Sequence, residues 1–179
     1  MPTILTHPAA ALLKTWFPRL SWRIAILGAV LSILPDLDTI GFAYGIPYGS
    51  TFGHRGFTHS IAFALITATL GTVMVRTRSA FPFLFLCAIS HPLFDALTDG
   101  GLGIAFFSPF SNARYFFPWR PIRVSPIGIG HRFFSSRGLE TLASEVVWVW
   151  IPCGVAALLR LALRTVFSAR GRGRETTAR

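Results

Sequence analysis

The chain has 179 residues, of which 52% are hydrophobic and only 13% charged, with 17 Phe and a mean hydropathy of +0.55. A soluble domain carries about a quarter charged residues, so an ordinary water-soluble globule is excluded and an integral membrane protein is expected. The net charge of +10 would also suit nucleic acid, but a bilayer accounts for the apolar content as well, because arginine gathers at its cytoplasmic edge. Nucleic acid is therefore not expected as a partner.

The first expected element is a short helix over residues 6–17, with Thr6 as its cap and Pro18 as its stop. If it inserts, His7 lies at its start. Four apolar stretches of near-spanning length follow, at residues 24–43, 57–75, 81–97 and 146–167. The expected fold is an all-α integral membrane bundle of four or five membrane helices. Between Gly100 and Gly138 the chain is rich in Gly, Pro, Phe and Arg. A connection this long is usually functional, and it reads as a loop covering one membrane face. Residues 1–168 form a single membrane-embedded domain, and residues 169–179 a basic, disordered cytoplasmic tail. Cys87 and Cys153 both lie in apolar runs and imply no disulfide framework.

The polar residues interrupting the apolar stretches are informative. Asp36 and Asp38 fall late in the first stretch, and His59 falls at the start of the second. His91 and Asp95 fall late in the third, and Glu145 stands at the head of the fourth. Successive spans alternate direction, so all these positions share one membrane face. Carboxylates in apolar sequence are costly unless compensated. Histidines beside them suggest that bound metal ions supply the compensation.

His91 and Asp95 are four apart and share a helix face, and Asp99 extends the stripe. Asp36 and Asp38 suit a helix end where Pro35 turns the backbone. His54 and His59 bracket a glycine-containing turn, with Thr58 as a cap. Mixed His and Asp ligation without paired Cys suits Zn, with Mn or Fe as alternatives. Two ions held by bridging carboxylates suit phosphoester hydrolysis. Arg55 and Arg114 are candidates to bind the phosphate, and Glu145 to act as general base or further ligand. His131, in a glycine-rich stretch, could approach the site from the covering loop. Headgroup-facing arginines and a dipole-favoured Glu145 are the plain alternatives for those residues. No Gly-x-Ser-x-Gly, phosphate-binding loop or His-Glu-x-x-His occurs.

Leu34-Pro35-Asp36-Leu37-Asp38, Gly53-His54-Arg55-Gly56-Phe57-Thr58-His59-Ser60 and Ser90-His91-x-x-x-Asp95-x-x-Thr98, with Thr6-His7 at the start, form a recognisable set. It resembles the LexA-binding, inner-membrane-associated metal-dependent hydrolase family. That family is distantly grouped with the zinc-dependent phospholipase C and nuclease enzymes. The resemblance covers about residues 3–125. It implies a divalent metal centre of two or three ions, held by a set drawn from His7, Asp36, Asp38, His54, His59, His91 and Asp95. Asp99 and His131 rank below these as ligands or supporting groups. The departures from the pattern leave room for fewer ions.

The function expected is a membrane-bound metal-dependent hydrolase cleaving a phosphoester of a membrane lipid. The rivals are an amide or ester hydrolase on lipid, and a non-enzymatic metal-binding membrane protein or transporter. Eleven Lys and Arg fall on one side of the spans and six on the other, from the sequence positions. The resemblance implies a bacterial inner membrane, and the positive-inside rule then places the metal face on the periplasmic side and the C-terminus in the cytoplasm.

Overall fold

The computed structural model describes residues 1–125 and 135–176, with side chains through 165. All named elements are helical, and no strand occurs among the described residues, only two isolated bridges, Thr98 with Ile122 and Ile104 with Tyr115.

A 3₁₀ helix, His7–Trp16, comes first, with Pro8 in its opening turn. Thr6 precedes it but makes no side-chain cap, contrary to expectation, because its hydroxyl oxygen accepts from Trp150 Nε1 instead. Helix α1 spans Trp22–Ile33. Pro35 cannot donate a backbone hydrogen bond and crowds the preceding turn. The chain responds by tightening into a 3₁₀ helix, Leu34–Tyr44, closed by Gly45 at φ +73°. Helix α2 spans Ile61–Val75. Its cap is Ser60, whose Oγ accepts from the Phe63 N–H at 3.0 Å, and not Thr58. It ends at Arg76 in the left-handed region. Helix α3 spans Phe81–Ala96 and carries Pro92 in its interior.

The last helical run starts earlier than the hydropathy suggests. Helix α4, Ser136–Glu145, leads through one π-helical stretch, Val146–Trp150, into helix α5, Ile151–Thr176. Ser135 caps α4 by accepting from the Gly138 N–H at 3.3 Å, a local signal that apolar content alone does not show.

Three helical runs are long and apolar enough to cross a membrane: Trp22–Tyr44, Arg78–Ala96 and Ser136–Thr165. Helix α2 has 15 residues. At 1.5 Å per residue it covers about 22 Å of a hydrocarbon core about 30 Å thick. The 3₁₀ helix His7–Trp16 has 10 residues and is shorter than the expected inserting helix.

Helices α1, α2 and α3 pack around Ile24, Leu31, Ala64, Ala68, Phe83, Leu84 and Cys87. The approach of α1 to α3 depends on Gly28. A Cβ there would stand 2.7 Å from Phe83 Cε1 and 2.9 Å from Cys87 Sγ. Small residues allow such contact between membrane helices, where packing rather than water exclusion drives association. A second cluster, Ala9, Ile122 and Val149, ties the first 3₁₀ helix, the 100–125 segment and the π-helical stretch together.

Candidate metal centre

The late end of α1, the start of α2 and the late end of α3 do meet at one place. His7, His59, His91 and Asp95 are fully buried, and Asp36 is 5% exposed. Asp38 and His54 pack beside them, with His54 Nδ1 2.7 Å from Asp38 Oδ1.

His91 is held by its Nδ1, 2.7 Å from the Ser32 carbonyl oxygen. A carbonyl only accepts, so Nδ1 carries the proton and Nε2 presents a lone pair. That lone pair faces His59 Nε2 at 3.0 Å and Asp36 Oδ1 at 3.4 Å. His59 Nδ1 lies 3.2 Å from Asp38 Oδ2, and the Thr58 hydroxyl donates to the same oxygen at 2.6 Å. Burial disfavours charge on His59, but the carboxylates of Asp36, Asp38 and Asp95 outweigh it and raise its pKa to about 10.

The two central carboxylates each face two ways. Asp36 turns Oδ1 toward His59 and His91 and Oδ2 toward His7 Nε2, the last at 3.9 Å. Asp95 turns Oδ1 toward His7 Nε2 at 3.8 Å and Oδ2 toward His59 Nε2 at 3.5 Å. His7 stacks on His91 with ring centroids 3.8 Å apart. Both nitrogens of His7 and both oxygens of Asp36 and of Asp95 are buried without a hydrogen-bond partner. Buried polar groups are normally satisfied, and each orphan costs about 1–3 kcal/mol.

These observations fit a metal. Ligand atoms 2.0–2.1 Å from a tetrahedral ion lie about 3.3–3.4 Å apart, close to the 3.4–3.9 Å spacings between Asp36 and His59, His91 and His7. Two triads with no residue in common satisfy the proximity that one ion requires: His7, His91 and Asp95, and Asp36, His54 and His59.

The other singled-out residues lie differently. Arg55, at φ +63°, is fully buried, and donates to the Gly100 carbonyl at 2.8 Å and Thr98 Oγ1 at 3.0 Å. Its Nε stands 3.2 Å from Asp95 Oδ2 but out of hydrogen-bond alignment. Arg114 donates to the carbonyls of His54, Gly103, Tyr48 and Ser50. Both guanidinium groups are engaged by the protein in this geometry.

Glu145 is buried and accepts from the Thr3 N–H and from the Thr3 and Thr6 hydroxyls. Trp150 Nε1 also donates to Thr6 Oγ1. Glu145 thus pins the segment that carries His7. Asp99 pairs with Arg123 at 3.1 Å and accepts from the Val124 N–H at 2.8 Å. Burial acts against its charge, but those two donors hold its pKa below the usual carboxylate value. It lines a separate cleft of about 290 Å³ with Arg123, Arg137 and Glu140. His131 lies outside the described residues.

Sequence reasoning passed over Ser32, Thr3 and Gly101. Ser32 acts through a backbone carbonyl, which leaves no trace in residue type. Gly101, at φ +95°, leaves room for Arg55 Nη1, 2.3 Å from where a Cβ would stand. Thr98 stood within the recognised pattern, and its role as an acceptor for Arg55 emerges only in three dimensions.

The fold and site describe an all-helical membrane protein with a buried cluster of carboxylates and imidazoles at the meeting point of its helix ends. The chain belongs to the YdjM inner membrane protein family, whose pattern it matches over residues 1–170. It is 37% identical over 161 residues to inner membrane protein YbcI of Escherichia coli (strain K12), covering 85% of this chain and 92% of that protein. It is 33% identical over 89 residues to the uncharacterized protein YvsG of Bacillus subtilis (strain 168), covering 46% and 56%. No solved structure matches.

Proposed function

We propose that this chain is a membrane-bound metal-dependent hydrolase acting on a phosphoester of a membrane lipid. The observation that carries the reading is the set of orphaned donors on His7, Asp36 and Asp95, delivered by three separate elements to one buried point. His7, Asp36, His59, His91 and Asp95 would hold divalent ions, with Asp38 and His54 at one side. When bound, Zn, or Mn or Fe, would supply an activated water and steady charge developing on the phosphoryl group.

Asp36 and Asp95 each offer one oxygen to the His7 side and one to the His59 side, so either carboxylate would help to hold an ion on either side. Ser32 fixes the His91 tautomer, so that Nε2 stays a donor to metal. Thr58 and His54 fix Asp38. Arg55 sets one face of Asp95 and brings positive charge beside it. The resemblance to LexA-binding, inner-membrane hydrolases and, distantly, to zinc-dependent phospholipases supports the reaction class. The charge bias of the connecting segments supports a periplasmic metal face and a cytoplasmic C-terminus. Helix α2, short but apolar, would be a fourth span if the bilayer thins around it.

Enclosure of the cluster favours a second reading, a metal-stabilised membrane protein without turnover, since none of its core ligands is more than 5% exposed. One paired experiment separates the two. Metal stoichiometry is measured on detergent-purified protein, and release of phosphate or phospho-headgroup is followed from defined phospholipids. Bound metal with chelator-sensitive release supports the hydrolase. Bound metal with no release from phospholipids, and none of fatty acid or amine, supports the second reading. Absence of metal removes both.

A further inference from the structure

The segment 100–125 lies at the same end of the bundle as the metal cluster. Ala105 N–H donates to the Arg55 carbonyl, Ile61 N–H to the Phe106 carbonyl and Phe117 N–H to the Ala96 carbonyl. It therefore crosses the head of α2 and the tail of α3. Its composition is unusual for a connection bathed in water. It holds seven aromatic residues and three arginines, and no Asp or Glu.

Several of those rings point outward. Phe110 is 91% exposed, Trp119 56% and Phe107 53%. Large apolar groups gathered on one surface mark an interaction site. The segment also touches the last helical run, one long and apolar enough to cross a membrane. Trp119 packs edge-on against Trp148, with ring centroids 4.7 Å apart. Trp148 belongs to the run Ser136–Thr165, whose apolar 18-residue window is only 11% buried within the protein. Exposed Arg120 lies over the Phe116 ring at 4.8 Å, so a cation is held beside the aromatic surface.

We propose that the 100–125 segment beds into the headgroup layer of the bilayer, and that anionic phospholipid is its partner. Tryptophan and other aromatics settle at headgroup depth, and Arg120, exposed and without an acid partner among the described residues, complements lipid phosphate. The segment thus forms a lipid-wetted collar around the mouth of the bundle. This inference rests on the membrane assignment and is independent of the chemistry at the metal cluster.

The test uses the full chain in nanodiscs of phosphatidylcholine, with or without phosphatidylglycerol. A nitroxide is placed by Phe110→Cys in a Cys153→Ser background, Cys87 being buried. Electron paramagnetic resonance then compares collisions with oxygen and with a water-soluble nickel chelate. The expected result is an oxygen-rich, chelate-shielded label that becomes more shielded with phosphatidylglycerol. One arginine near a charged surface contributes about 1 kcal/mol, so Arg120→Gln should weaken that preference about fivefold. Phe107→Cys serves as a second label site should the first variant aggregate. A chelate-accessible label at both sites, unchanged by lipid charge, overturns the proposal. Metal content, which the labels do not touch, reports separately on the cluster.

Discussion

Replacing Asp36 by Asn tests the metal centre most directly. The substitution keeps size and shape and removes one negative charge. Asp36 Oδ1 is 3.4 Å from His91 Nε2, and Oδ2 is 3.9 Å from His7 Nε2, so the charge lies at the centre of the donor set. At an effective dielectric constant of about 20, one unit charge pair at about 4 Å is worth about 4 kcal/mol. A dication in contact loses at least that much, which is about a thousandfold in dissociation constant. Elemental analysis of detergent-purified protein should show stoichiometric metal in the wild type and little in D36N, with unchanged size-exclusion behaviour. D36A guards against coordination by the new amide oxygen. Wild-type metal content in both variants would refute the reasoning, and so would a metal-free wild type purified without chelator.

His91→Ala removes a donor whose tautomer Ser32 enforces. It should deplete bound metal and abolish any phosphoester turnover while the protein still inserts, as read by elemental analysis and membrane fractionation. Glu145→Gln leaves three donors from Thr3 and Thr6 facing a neutral amide. Hydrogen bonds to a charged acceptor contribute about 1.5–3 kcal/mol each, so a loss of about 2–4 kcal/mol is expected, seen as a lowered melting temperature in detergent. Gly101→Ala and Gly45→Ala form a matched pair. Both glycines have positive φ, at +95° and +73°, but a Cβ at Gly101 meets Arg55 Nη1 at 2.3 Å, whereas one at Gly45 meets nothing within 4 Å. Gly45→Ala should cost about 1 kcal/mol, and Gly101→Ala distinctly more, with metal loss as Arg55 shifts from Asp95. Equal melting temperatures for the two would show that Arg55 is not confined as described.

The meeting of the acids and imidazoles was legible because hydropathy locates helix ends, and helix ends alternate between membrane faces. The His91 and Asp95 pair was legible from its spacing of four. Asp36 and Asp38 needed more than spacing. Only the tightening of the backbone after Pro35 shows how residues two apart both reach His59. The 3₁₀ form of the first helix was hidden, since its apolar pattern suits an α-helix equally well. Helix α4 was hidden because Ser136–Glu145 is polar and amphipathic, and a search for apolar runs passes over it. Glu145 itself read as a possible base. Its partners lie 139 and 142 residues away in sequence, beyond any local rule. The arginines illustrate another limit. Residue type indicates that Arg55 and Arg114 can grip phosphate, while only coordinates show backbone carbonyls already gripped by them.

The bond between Glu145 and the two N-terminal threonines has a consequence for assembly. His7 is translated before α1, α2 and α3, yet the anchor for its segment, Glu145, is translated after them. Until α4 emerges, the histidine has no fixed post, and the cluster it completes stays ajar. Closure of the cluster is thereby deferred until Glu145 is available to receive Thr3 and Thr6.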